Sequence, residues 1–176
     1  AFNAVNRIDD YALIPERDIA NGETVLIAQN HGAGHEKRMR EGLKWALVIE
    51  TAYGLLISLI IFFCAGSLMR LFVSSEETEV LRLGERYLKL MGLFYFLPGI
   101  TNGLQGYMRA VGKLRLTMFV TYGQMFTRAI CTYLLIDTLK LDAVPFACLA
   151  GWIVMTLWEG GLILKWHRKG TLAQIN

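Results

Sequence analysis

Apolar runs and charged turns alternate along this chain. Trp45 to Val73, Tyr87 to Met108, Leu116 to Ile136 and Ala143 to Trp166 are mostly Leu, Ile, Val, Phe, Ala and Gly. Each is long enough to cross a hydrocarbon core of roughly 30 Å, which takes about 20 residues of helix. A fifth segment, Tyr11 to Asn30, is more polar, with Pro15, Glu16, Arg17, Asp18 and Glu23 set among Ala, Leu, Ile and Val. Charges around a proline at membrane depth are tolerated only against protein or a water-filled cavity. Their spacing predicts such a face: Glu16, Glu23 and Asn30 recur every seven residues, with Ala20 and Ile27 between them. The competing reading of 11–30 is an extracellular loop with a re-entrant turn.

The turns carry charge of alternating sign. Gly32-Ala33-Gly34 leads into Lys37, Arg38, Arg40 and Lys44; Arg109, Lys113 and Arg115 form a second basic turn; Lys165, Arg168 and Lys169 close the last run. The opposite turns hold Asp9, Asp10, Glu76, Glu77, Glu79, Glu85, Asp137 and Asp142. By the positive-inside bias this pattern predicts five crossings of the plasma (inner) membrane, with the first residue outside and the last in the cytoplasm. An N-out start at Ala1 without a signal-type segment predicts that this is a piece of a longer protein with an upstream span. The crossings (about 11–30, 45–73, 87–108, 116–136 and 143–166) would form one membrane domain over 1–170, followed by a cytoplasmic tail, 171–176.

Composition agrees. With 54% hydrophobic and 19% charged residues and a mean hydropathy of +0.38, an ordinary soluble domain is excluded. The net charge of +3 is segregated by turn, so it orients the chain and does not mark a nucleic-acid surface. Cys64, Cys131 and Cys148 all lie in apolar runs, where thiols pack as small hydrophobes. No P-loop, dinucleotide, zinc-protease, paired-cysteine or nucleophile-elbow motif occurs, so neither an enzyme nor a bound cofactor is expected. His31 and His35 are four apart, but they sit in a polar glycine turn and read as solvated rather than metal-binding.

Polar stripes run through the later crossings. Pro98, Asn102, Gln105 and Arg109 share one helical face, as do Thr117, Thr121, Gln124, Arg128 and Thr132, and Trp152, Thr156, Glu159 and Ile163. Arg128 would cost about 2.5–3.5 kcal/mol against lipid, so it is expected to face the bundle interior, with Glu159 as its partner. Such stripes either line a cavity or join helices through hydrogen bonds of about 0.6 kcal/mol each. Ala150-Gly151 and Gly160-Gly161 are expected to permit close helix approach.

IAQNHGAGHEKR, at 27–38, resembles the turn after the eighth helix of multidrug and toxic compound extrusion (MATE) transporters, and GLQGYMRAVGKLR, at 103–115, resembles the end of their tenth. RAICTYLLI and the run from Gly151-Trp152 to Glu159 fit helices eleven and twelve, and NAVNRIDDYALIPERDIANGE resembles the approach to helix eight. The resemblance implies an all-α membrane protein of twelve helices in two six-helix bundles, with this chain forming most of the second. It implies export of cationic, amphipathic drugs in exchange for Na⁺ or H⁺ by alternating access, with a missing N-terminal bundle as partner. The segment 87–108 departs from the family in holding no carboxylate, so the aspartate that some branches use on helix ten has no counterpart in this chain. Glu16, Glu23 and Glu159 are the candidate cation and drug carboxylates, with Asn102, Gln105, Gln124 and Arg128 as further cavity lining. The other classes are a flippase for a lipid-linked precursor, which would need more arginines for phosphate, and a structural membrane subunit that transports nothing.

Overall fold

The computed structural model describes residues 2–72 and 78–169; the acidic loop residues Glu76 and Glu77 and the tail 171–176 lie outside them. All described elements are helices: α1 Phe2–Gly32, α2 Glu36–Phe72, α3 Thr78–Gly92, α4 Phe96–Ala110, α5 Leu114–Leu139 and α6 Ala143–Lys169, with a 3₁₀ turn at Lys140–Asp142. α2 and the stretch Leu114–Arg168 are long and apolar enough to cross a membrane.

Two expectations about the elements change. The segment predicted to cross from Tyr11, or else to fold as a loop and re-entrant turn, is one continuous helix that begins at Phe2 and carries Pro15 inside it. The third predicted crossing is two helices, α3 and α4, joined through Leu93–Tyr95. Pro98 has no N–H, and its ring clashes with the carbonyl four residues back, at Phe94. That carbonyl accepts instead from the Leu97 amide, at 3.0 Å.

Both basic turns close in the same way. The Gly34 amide donates to the His31 carbonyl and the His35 amide to that of Asn30; the Gly112 amide donates to Arg109 and the Lys113 amide to Met108. Gly34 and Gly112 sit at φ +70° and +75°. These are two Schellman ends, each with the left-handed residue that glycine supplies without a Cβ penalty.

Two apolar clusters hold the bundle. One joins Val5, Ile8 and Ala12 of α1 to Ile61, Ala65 and Met69 of α2, Leu88 and Met91 of α3, Tyr95 and Cys148. The other, at the basic turns, joins Ile27, Met39, Leu43, Leu104, Tyr107, Met108, Val111 and Ile163. At that end the Tyr107 hydroxyl and His167 Nε2 are 2.7 Å apart, and Arg40 donates to the His167 carbonyl. α5 packs antiparallel on α6, with Gly123 against Trp158 and Gly151 against Gln124. Gly160 and Gly161, expected to admit a close neighbour, have none within 4 Å of where a Cβ would stand. They face outward.

Candidate functional site

Between the two clusters lies a layer of buried acid. Glu16 and Glu23 of α1, Glu50 of α2 and Glu159 of α6 are at most 7% exposed. Each sits, along its own helix, between residues of one cluster and residues of the other. Their placement follows from α4, whose Gly99, Gly103 and Gly106 fall on one face at steps of four and three. With no side chains there, neighbouring helices come close. A Cβ on Gly99 would stand 3.0 Å from the Glu50 carbonyl, and one on Gly103 would overlap Glu50 Oε2. A Cβ on Gly106 would stand 3.2 Å from Glu23 Oε2, and one on Gly54 of α2 would stand 3.2 Å from Glu16 Oε1. The glycines are the space the carboxylates occupy.

The acids therefore form a file. Glu16 lies beside Phe96 at the start of α4, Glu50 at Gly103 and Glu23 at Gly106. From Phe96 to Gly106 is about 15 Å of helix. Glu16 and Glu50 lie within electrostatic reach of each other, as do Glu50 and Glu23. Arg109, one turn beyond Gly106 and half-buried, reaches Glu23, Glu50 and Glu159 with its charge. Among the described residues, no oxygen of these four acids accepts a hydrogen bond of normal geometry, although the Gly103 backbone and the Gln105 amide stand close to Glu50 and Glu159. A buried carboxylate in that condition persists only with a proton on it or a cation beside it.

The other sequence-predicted residues divide. Gln105 joins the site, donating from Nε2 to Thr121 Oγ1 at 3.0 Å while lying beside Glu159. Asn102 is half-buried on α4, and half-buried Gln124 packs on Gly151. Arg128 is not Glu159's partner. It is exposed on α5, and its charge reaches Asp9, Tyr87 and Cys148 at the other end. The expected place in the bundle interior fails with the expected partner: helical spacing groups residues on one side of α5, but it says neither how far each is covered nor which neighbour stands there. The threonine stripe mostly bonds its own helix: Thr117 to Leu114, Thr121 to Thr117 and Thr132 to Arg128 carbonyls.

One acid of the site, Glu50, escapes the sequence reading, because it stands as a single charge near the start of an apolar run; Arg109 belongs both to a basic turn and to the polar face with Asn102 and Gln105. The signal for Glu50 is the glycine spacing at 99, 103 and 106, which marks a face kept clear for something.

The family model described as MatE matches residues 1–134. The chain is 31% identical over 113 residues to the probable multidrug resistance protein YpnP of Bacillus subtilis, covering 64% of this chain and 25% of that protein. It is 21% identical over 120 residues to the probable multidrug resistance protein NorM of Thermotoga maritima, covering 68% of this chain and 25% of that one. The chain thus spans about a quarter of the relatives it matches. A solved inward-facing conformation of a multidrug resistance MATE family transporter of the MOP superfamily superposes with a TM-score of 0.85 at 19% identity, over 95% of this chain and 40% of that one. At that identity the likeness establishes the fold.

Proposed function

This chain belongs to the MatE family, and from that premise we propose that it is most of the second helical bundle of an efflux antiporter that exchanges cationic, amphipathic drugs for Na⁺ or H⁺. The observation that carries the reading is the buried, unpartnered acid layer of Glu16, Glu23, Glu50 and Glu159. Carboxylates held away from water bind a small cation or a larger lipophilic one, but not both at once. That competition is the elementary requirement for exchange. An N-terminal bundle would complete the cavity, and alternating access would expose the acids first to one side of the membrane and then to the other. The charge asymmetry of the turns supports a plasma-membrane protein whose basic turns face the cytoplasm. The flippase reading has less support, because one arginine, Arg109, faces three of the four acids where a phosphate would need several cations.

The test is ethidium efflux by the full-length protein in an efflux-deficient host. Glu16→Gln, Glu23→Gln and Glu159→Gln are each expected to slow efflux by about ten-fold or more, at unchanged expression. Undiminished efflux in all three would remove these side chains from the mechanism.

A further inference from the structure

The file of acids continues beyond the layer. Asp9 lies one heptad before Glu16, so Asp9, Glu16, Glu23 and Asn30 share one side of α1. That face is about 30 Å long, the thickness of a hydrocarbon core. Asp9 is half-buried, and the hydroxyl of fully buried Tyr95, at the α3–α4 turn, donates to its Oδ1. Between Asp9 and Glu16, the Tyr53 hydroxyl donates to the Ala12 carbonyl at 3.1 Å. Glu50 enters from α2 between Glu16 and Glu23. At the basic end, Glu23 lines a groove between α1 and α2 together with Asn30, Arg38 and Glu41.

We propose that Asp9, Glu16, Glu50 and Glu23 form a proton file inside this single bundle, leading from the acidic-turn end to the groove beside Asn30, with Tyr95 as the gate over Asp9. The proposal rests on the antiporter reading and names its ion and its route. The geometry favours a proton over a metal cation. A hard cation takes several oxygens around one centre. The acid oxygens of this bundle instead follow one another along α4, each against a different glycine or backbone segment. Unpartnered oxygens on three buried acids leave room for a carboxyl group to accept a proton on one oxygen and release one from the other. One proton taken up at Asp9 and one released at Glu23 leaves the file as it began, and the exchange stays coupled because a drug bound at the acid layer interrupts the file between the two events. The Tyr53 hydroxyl, near Glu16 and on the Ala12 carbonyl, offers an intermediate oxygen between Asp9 and Glu16, and water would carry the proton across the remaining gaps.

Each member of the file faces charged or titratable groups from several helices. Asp9 faces Asp10 on its own helix, Tyr87 of α3, Tyr95 at the turn, Arg128 of α5 and Cys148 of α6. Glu16 faces Arg17, Tyr53 and Glu50, while Glu50 faces Glu16, Glu23 and Arg109. Glu23 faces Glu50, Arg109 and Tyr107.

The experiment uses the full-length protein in proteoliposomes with a pH dye inside and an imposed ethidium gradient. Asp9→Asn and Glu50→Gln are each expected to cut ethidium-driven proton flux by at least about ten-fold. Glu50→Asp, which keeps a carboxylate, should restore part of it. Binding of ethidium to solubilised Asp9→Asn protein shows that the variant is folded. Tyr95→Phe should shift the pH midpoint of the flux, which a merely structural tyrosine would not do. Wild-type flux in both Asp9→Asn and Glu50→Gln overturns the file, and an unmoved midpoint in Tyr95→Phe overturns the gate. Ethidium movement driven by a Na⁺ gradient without proton movement sinks the file while leaving the antiporter reading intact. Wild-type vesicles that move no ethidium under any gradient sink both.

Discussion

A methyl group on Gly54 would stand 2.6 Å from Phe96 Cα and 3.0 Å from the Tyr95 carbonyl oxygen, both backbone atoms. Neither can rotate away, so α2 and α4 would have to separate. Gly54→Ala is expected to cost about 1–3 kcal/mol, read as a lower melting temperature of the purified protein. The methyl of Gly103→Ala would instead meet Glu50 Oε2, the mobile end of a side chain. That variant should lose less stability and more efflux, because the acid is displaced while the backbones stay in place. Should Gly103→Ala prove the less stable of the two, backbone crowding is not what limits the approach of α2 to α4. At this scale the sequence was readable where a period existed: Glu16 and Glu23 were found by their heptad spacing, and both are buried. A lone charge has no period, so spacing does not mark Glu50 as a site residue, and Asp9 reads as a turn residue although it belongs to the same heptad series.

Among the elements, the two Schellman ends give the sharpest contrast. Gly32 and Gly34 both have open space where a Cβ would go, but only Gly34 has positive φ. Gly34→Ala and Gly112→Ala should each cost about 1–2 kcal/mol from backbone conformation alone. Gly32→Ala, in ordinary helix, should be neutral or stabilise by up to about 1 kcal/mol. Thermal melting of the three variants decides the matter; equal losses at 32 and 34 would mean that conformation is not the cause. The glycine-and-basic turns were legible because positive φ and charge asymmetry both leave marks in composition. The division of 78–110 into α3 and α4 was harder to see. Pro98 stood in view, but a proline is compatible with a kink inside one helix as well as with a turn between two. Which helices meet was not legible at all, and Arg128 is the example. A stripe shows that a helix has an inner side, while the partner on that side is set by the tertiary packing of the bundle.

Taken whole, the molecule buries carboxylates of its most acidic helix against neighbouring helices. α1 carries Asp9, Asp10, Glu16, Arg17, Asp18 and Glu23, whereas among the described residues only α2 and the Leu114–Arg168 stretch are apolar enough to cross a membrane by length and composition. The shelter for α1's buried acids is supplied by Gly54 of α2, beside Glu16, and by Gly106 of α4, beside Glu23. These residues come later in the chain, so α1 leaves the ribosome before its shelter has been made. Its integration should therefore be delayed. In a cell-free translation with microsomes, glycosylation mapping should find α1 poorly inserted when the chain is cut after Gly32 and inserted once α4 has been synthesised. Efficient insertion of the short product would contradict this. The acidity of α1 thus makes it a passenger during biogenesis, brought into the bilayer by the helices that follow it in this chain.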